Sequence, residues 1–314
     1  MPVYEDWESA IQVCQRLDHV FAEDPSITVS VRLVDDGSTA NPHPTSLTWR
    51  PDRLASISVV ALRRNLGHQR AIAVGLSHVC ESRPFDAVVI MDSDGEDRPE
   101  DIPTLLAALN EGGRPMTIFA ERGRRFERTT FRVLYQCYRV VHRLLVGHDI
   151  RFGNFSALPW EHAVRLTCYS ELWNHYAAAV LRAKLPYARR RIDRGKRIAG
   201  QSRMNFVDLV THGLAAWFAN QEVVATRMLV LTTLFNALLV PLIGIVVGLR
   251  IFTNRGVPGW ATSTVGLLLI LGAQSLIAST IVVFSTMANR THLGFVPIRD
   301  YRCFVRDECS LFVA

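Results

Sequence analysis

Short apolar runs and helical spacings alternate along the first 120 residues, and two long stretches without charge follow near the other end. Ile27 to Val34, Ser56 to Leu62, Ala87 to Met91 and Met116 to Ala120 have the length and composition of buried strands. Trp7 to Phe21 and His68 to Val79 repeat apolar residues at helical spacing. Strands alternating with helices predict an α/β fold with a mostly parallel sheet, whose ligands gather at the carboxyl ends of the strands. Met1-Pro2-Val3-Tyr4 leads straight into the first helix, so the strand that usually begins such a sheet is expected to be missing, as from a truncated start.

Met228 to Leu249 is 22 residues without a charge, which at about 1.5 Å per residue spans a hydrocarbon core of roughly 30 Å. Gly256 to Asn289 is also uncharged, and its most apolar part is Ala261 to Phe284. Together they predict a transmembrane helical hairpin, with a pair of buried core helices as the competing reading. Ahead of it, Phe206, Leu209, Val210, Leu214, Trp217 and Phe218 recur among polar residues at helical spacing, which predicts an amphipathic helix at the bilayer surface. The expected organisation is a catalytic domain over 1–203, a juxtamembrane helix over 204–227, the hairpin over 228–289 and a cytoplasmic tail over 290–314.

The net charge of +6 is concentrated between Arg182 and Arg203, immediately before the apolar region, and points to anionic lipid rather than nucleic acid. The basic residues before the first span and Arg290, Arg299, Arg302 and Arg306 after the second outweigh Arg250 and Arg255 between them. That asymmetry predicts an integral membrane protein with a cytoplasmic catalytic domain. The six cysteines form no CxxC pair and no metal-ligand cluster, and no cleavable signal peptide is read ahead of them, so a reduced compartment is expected.

In Met91-Asp92-Ser93-Asp94-Gly95-Glu96, carboxylates leave the end of a buried strand at alternating positions, which puts Asp92, Asp94 and Glu96 on one side of an extended chain. Oxygen donors of this kind, completed by water and substrate phosphates, are what Mg²⁺ or Mn²⁺ takes. An acidic turn capping the next helix is the alternative. Val34-Asp35-Asp36-Gly37-Ser38-Thr39 closes an earlier strand in the same way, where a carboxylate can meet a base or a ribose.

These two turns, with Pro2-Val3-Tyr4, Arg64-Asn65-Leu66-Gly67-His68-Gln69, Ala71, Gly75 and Pro99-Glu100, resemble the family 2 glycosyltransferases of GT-A fold. Within that family they resemble most the polyprenyl-phosphate and dolichol-phosphate sugar transferases, over Pro2 to about Arg203. The resemblance implies an inverting enzyme that moves a sugar from a UDP- or GDP-sugar to a polyprenyl phosphate, with Mg²⁺ or Mn²⁺. It implies Asp36 at the nucleoside, Asp92 positioning donor and metal, and Asp94 with Glu96 as metal ligands. Tyr4, with Pro2 and Asp6 beside it, would line the base pocket, although Glu5-Asp6 stands where the family has Asn-Glu. Arg122 would face donor phosphates and Arg132 the acceptor; as arginines in a basic stretch, both are read equally well as solvated. Arg197-Ile198-Ala199-Gly200-Gln201-Ser202-Arg203-Met204 resembles the family's Arg-x-x-Gly-x-Ser-Lys-Tyr segment. Arg197, Ser202 and Arg203 would hold the acceptor phosphate, an anionic membrane surface, or both.

The departure lies in Gly153-Asn154-Phe155-Ser156, because close relatives often carry Asp after this Gly as a base. An amide takes no proton. A phosphate monoester, with a second pKa of about 6, is already an anionic nucleophile at neutral pH, so the loss costs least for a lipid phosphate acceptor. Asp149 is the alternative base. Leu172-Trp173-Asn174-His175-Tyr176 reads either as acceptor lining or as aromatic packing. Transfer to a lipid hydroxyl or a polysaccharide is the rival activity, though the Gln-x-x-Arg-Trp motif typical of processive synthases is absent. A degenerate membrane scaffold is the rival outside enzymology. A homo-oligomer is compatible with either outcome.

Overall fold

Three parallel strands open the first sheet in the computed structural model: β1 (Pro2–Val3), β2 (Val29–Asp35) and β3 (Leu54–Leu62). The structure describes residues 1–22, 24, 26–39, 48–82, 84–111, 113–122, 140, 141, 143–147, 153–193, 195, 197, 198, 217, 220, 221–253, 258–291 and 294–314. The strand expected to be missing ahead of the first helix is present, two residues long, with Pro2 and Val3 opposite Val34 and Asp35. Two residues carry no alternation, so the pattern could not reveal them. β3 is buried from Ile57 to Leu62, as its β-branched run requires.

Helix α1 (Trp7–Val20) presses Trp7, Ala10, Val13, Cys14 and Leu17 into the core, a stripe at i, i+3 and i+4. Helix α2 (His68–Glu81) packs close to β2 because of Gly75, where an added Cβ would lie 2.6 Å from Cγ2 of Val34.

The second sheet is built from β4 (Ala87–Ile90), β5 (Thr117–Arg122), β6 (Ser156–Pro159) and β7 (Tyr187–Ile192), in the order β4-β6-β5-β7. Here β6 runs antiparallel to both neighbours, so the parallel pattern gives way in this half. Helices α3 (Ile102–Ala107), α4 (Trp160–Thr167) and α5 (Tyr176–Arg182) complete the α/β domain. β7 lies inside the basic run and exposes Tyr187, Arg189 and Arg191 at alternate positions. Arg189 and Arg190 pair with Glu121 and Glu111, and Arg182 stands 3.4 Å from Glu171. Part of the charge assigned to lipid is therefore met within the domain.

Part of the region expected as a tail, Val305–Val313, is a strand. From Phe295 on, the chain belongs to the first unit (Met1–Arg128, Ile150–Ala219, Phe295–Ala314), and β8 (Val305–Val313) pairs antiparallel with the edge of β3. Leu311 and Phe312 pack on the core while Arg306, Asp307 and Glu308 stay outside, a mixed composition that reads as a solvated tail. Buried Tyr301 donates its hydroxyl to Glu81 on α2 at 2.8 Å. Trp173 packs between Phe295 and Phe304, with ring centroids 4.0 and 4.9 Å away, and Arg70 lies over its face. The cluster around Trp173 is aromatic packing, and Tyr176 is fully buried.

The second unit (Thr129–Asp149, Asn220–Gly294) contains α6 (Gln221–Phe252) and α7 (Trp260–Thr291). Both helices are long and apolar enough to cross a membrane, and protein buries little of either. α6 continues through Pro241. Between the two, Asn236 Nδ2 donates to Ser275 Oγ at 2.9 Å, and Gly272 gives the Asn236 side chain room. The amphipathic helix expected over 204–227 falls mostly outside the described residues; its end, from Gln221 to Arg227, forms the start of α6.

Candidate functional site

The loops that follow β1, β2 and β4 meet at the carboxyl ends of their strands, and side chains tie them together. After β1, the Glu5 N–H donates to Ser38 Oγ at 2.9 Å, and the Glu5 carboxylate accepts from the Thr39 N–H at 2.7 Å. After β4, Ser93 Oγ donates to the Pro2 carbonyl at 2.7 Å. Pro2 therefore joins the acidic turn to β1 through its backbone.

Asp36, expected at the nucleoside, is buried and holds the loop that opens α2. Its carboxylate accepts from the Leu66 N–H at 2.7 Å and the Gly67 N–H at 2.9 Å. Burial pushes its pKa up, against the pull of those two amides. Gly37 permits the approach: its φ is +75°, and an added Cβ would meet Asn65 N at 2.5 Å.

Within the acidic turn, buried Asp97 accepts from the Asp92 N–H at 2.9 Å, and Asp94 accepts from the Glu96 N–H at 3.0 Å. The segment after β7 closes over this turn, with the Ile198 N–H on the Asp94 carbonyl and the Gly195 N–H on the Glu96 carbonyl, both at 2.9 Å. It brings Arg197 to 3.4 Å from Asp94 and 3.8 Å from Asp6. Asp6 also accepts from Ser9 Oγ at the start of α1. Tyr4 is 43% exposed beside these loops, as a residue lining an open pocket would be.

A polar chain runs from the core to Asp92. The buried Tyr176 N–H can only donate, so it fixes Gln69 with its Oε1 toward Tyr176, at 2.8 Å. Gln69 Nε2 then donates to Asn154 Oδ1 at 3.1 Å, which turns Asn154 Nδ2 toward His68 Nε2 at 2.9 Å. The same His68 nitrogen lies 3.2 Å from Asp92 Oδ1. Enclosure by the loops works against charge on this imidazole, but the carboxylates of Asp92, Asp97 and Asp36 together outweigh it, and the pKa is raised. Solvent screens the pair, since the His68 side chain is 43% exposed.

Pro2, Asp6, Asp36, Asp92, Asp94 and Arg197 are thus brought together, with Glu96 joined through its backbone. Arg132, Asp149, Ser202 and Arg203 and the Arg122 side chain lie outside the described residues. His68, Gln69 and Asp97 were not assigned to the site from sequence. Their signal was the turn chemistry around Gly67 and the surplus of carboxylates after β4.

Among the described residues, no three His, Cys, Asp or Glu side chains converge on one point. Asp92 and Asp94 fit a hard divalent cation as a partial donor set of the kind Mg²⁺ accepts, one or two carboxylates with phosphate and water supplying the rest. They do not form an all-protein cage.

A sequence model of glycosyl transferase family 2 matches residues 1–167. The undecaprenyl-phosphate 4-deoxy-4-formamido-L-arabinose transferase of Salmonella choleraesuis (strain SC-B67) is 31% identical over 112 residues, which are 36% of this chain and 33% of that protein. The chain thus spans about a third of the length of the curated relative it matches.

Proposed function

The chain belongs to glycosyl transferase family 2, and from that premise we propose that it moves a sugar from a nucleotide-sugar to a polyprenyl phosphate at the cytoplasmic face of a membrane. The observation that carries the reading is Arg197 held against Asp94 and Asp6, where the acidic turn after β4 meets the loops after β1 and β2. Carboxylates that can share a metal, set beside an arginine, suit a diphosphate donor and a phosphate acceptor.

Asp36 shapes the nucleoside end by fixing the loop at Leu66 and Gly67, and Tyr4 supplies an aromatic face beside it. Asp92 and Asp94, with Glu96 on the same turn, would hold Mg²⁺ or Mn²⁺, which when bound supplies positive charge for the departing nucleoside diphosphate. Arg197 exchanges its carboxylate partners for the acceptor phosphate, joined by Arg132, Ser202 and Arg203, and Arg122 serves the donor. The phosphate oxygen attacks the anomeric carbon opposite the leaving group, with inversion. It brings its own negative charge, so Asn154 in place of a carboxylate removes nothing this reaction needs. The undecaprenyl-phosphate acceptor in the relative's name supports the lipid class. The basic flanks of the hairpin support the cytoplasmic side.

The test is transfer of radiolabelled sugar from a panel of UDP- and GDP-sugars into membranes containing polyprenyl phosphate. The expected product extracts into organic solvent and is cleaved by mild acid. A product that resists mild acid would assign a hydroxyl acceptor instead, and no product with any donor would favour a scaffold.

A further inference from the structure

Two carboxamides lie in the apolar parts of α6 and α7, Asn236 and Gln274. Asn236 is satisfied inside the hairpin, by Ser275 Oγ and the Thr232 carbonyl. Gln274 faces outward, at the middle of the Trp260–Ala288 span, and makes no hydrogen bond among the described residues. Hydrocarbon offers an amide neither donor nor acceptor, so burial there leaves both of its polar ends unsatisfied.

The surroundings of Gln274 are ordered. Leu267, Ile270, Gln274, Ile277, Ile281 and Phe284 follow one another at intervals of three, four, three, four and three, and the apolar members are each more than half exposed. That is the spacing the seam of a left-handed helix pair has, with a single polar residue at one of its positions. Gly272 and Ser279, on the other side of α7, are buried, so the seam points away from the intramolecular partner.

We propose that α7 pairs with α7 of a second copy of this chain through this seam, with the two Gln274 amides hydrogen-bonded to each other inside the bilayer. A second copy is the occupant the chemistry selects. A carboxamide is self-complementary, donor to acceptor, and a two-fold axis along the membrane normal sets both copies of residue 274 at the same depth. The inference rests on the membrane reading of α6 and α7 given above.

Single cysteines placed at Ile277 and Ile281, on the seam, are oxidised in native membranes and compared with one at Leu269. Leu269 is equally exposed but about 140° round the helix from Gln274 at roughly 100° per residue. None of the six native cysteines lies in either helix, so the parental chain gives the background. Expected are disulfide dimers from Ile277→Cys and Ile281→Cys and none from Leu269→Cys. Adding Gln274→Leu should cut the dimer yield roughly five- to tenfold, and Gln274→Asn should restore most of it. Equal cross-linking from Leu269→Cys, or yields unmoved by Gln274→Leu, overturns the seam. Alkaline carbonate extraction of the same membranes separates the two ideas. A protein that stays with the lipid but gives no seam dimer refutes only the pairing, whereas a protein that is extracted refutes the membrane reading and the pairing with it.

Discussion

His68 Nε2 lies 3.2 Å from Asp92 Oδ1 and 2.9 Å from the side-chain amide nitrogen of Asn154, so one ring nitrogen faces both a carboxylate and an N–H donor. The carboxylate favours a proton on that nitrogen, and the amide favours a lone pair.

Asp92, with Asp97 and Asp36 behind it, raises the pKa of His68 against the burial, which sets a sign for the pH dependence. Stabilisation from the protonated pair is fully present below the unfolded value near 6.5 and fades as pH rises through the higher folded value. Asp92→Asn removes the nearest of these carboxylates. Thermal unfolding followed from pH 6 to 8.5 should show the variant losing less stability with rising pH than the parent, and parallel curves would show that the pair contributes nothing.

His162 should act in the opposite direction. Burial lowers its pKa, and Thr117 Oγ1 lies 2.9 Å from its Nδ1. A His kept neutral in the fold costs stability as pH falls below its unfolded value. His162→Gln should therefore flatten the acid limb of the unfolding midpoint between pH 6.5 and 5, and a limb of unchanged slope would assign the acid loss elsewhere.

Replacing Gln69 by Ala strands the buried Tyr176 N–H and unties Asn154 from α2. The cost should be about 1–3 kcal/mol, the price of a buried donor left without an acceptor. Denaturant titration of the detergent-solubilised protein measures it, and a loss well under 0.5 kcal/mol would mean that water replaces the side chain.

Asp94→Asn keeps the hydrogen bond from the Glu96 N–H within reach of the amide oxygen but removes the charge facing Arg197. Sugar transfer should fall by at least about a hundredfold, with membrane insertion and unfolding midpoint near those of the parent. Transfer close to the parental rate, with metal dependence unchanged, would remove Asp94 from the site.

Tyr301→Phe deletes the hydroxyl that reaches Glu81 on α2 and should cost about 1–2 kcal/mol. A variant as stable as the parent would show that Arg302, which also pairs with Glu81, suffices to hold the C-terminal segment.

β2 and β3 were legible because buried parallel strands are plain apolar runs, as Ser56 to Leu62 shows. β7 and β8 were not. In β7 three arginines stand in line, and only pairing with β5 makes alternation rather than charge the governing feature. In β8 outward charges hide the contacts of Leu311 and Phe312, which exist only because β3 offers an open edge. At the site, Asp92 and Asp94 were readable as a pattern within one turn. The link from Tyr176 through Gln69 and Asn154 to His68 joins residues as far as 107 apart in sequence, and no local spacing encodes it.

β8 also has a consequence for assembly. It is synthesised after both apolar helices, yet it completes the sheet begun by β1, β2 and β3. Until the ribosome has passed the hairpin, β3 presents an unpaired edge, the kind of surface that recruits foreign strands. The N-terminal part can reach its finished sheet only after β8 has been made. On the proposed membrane reading, insertion of one helix alone would leave β8 across the bilayer from β3, so a completed sheet excludes single insertion.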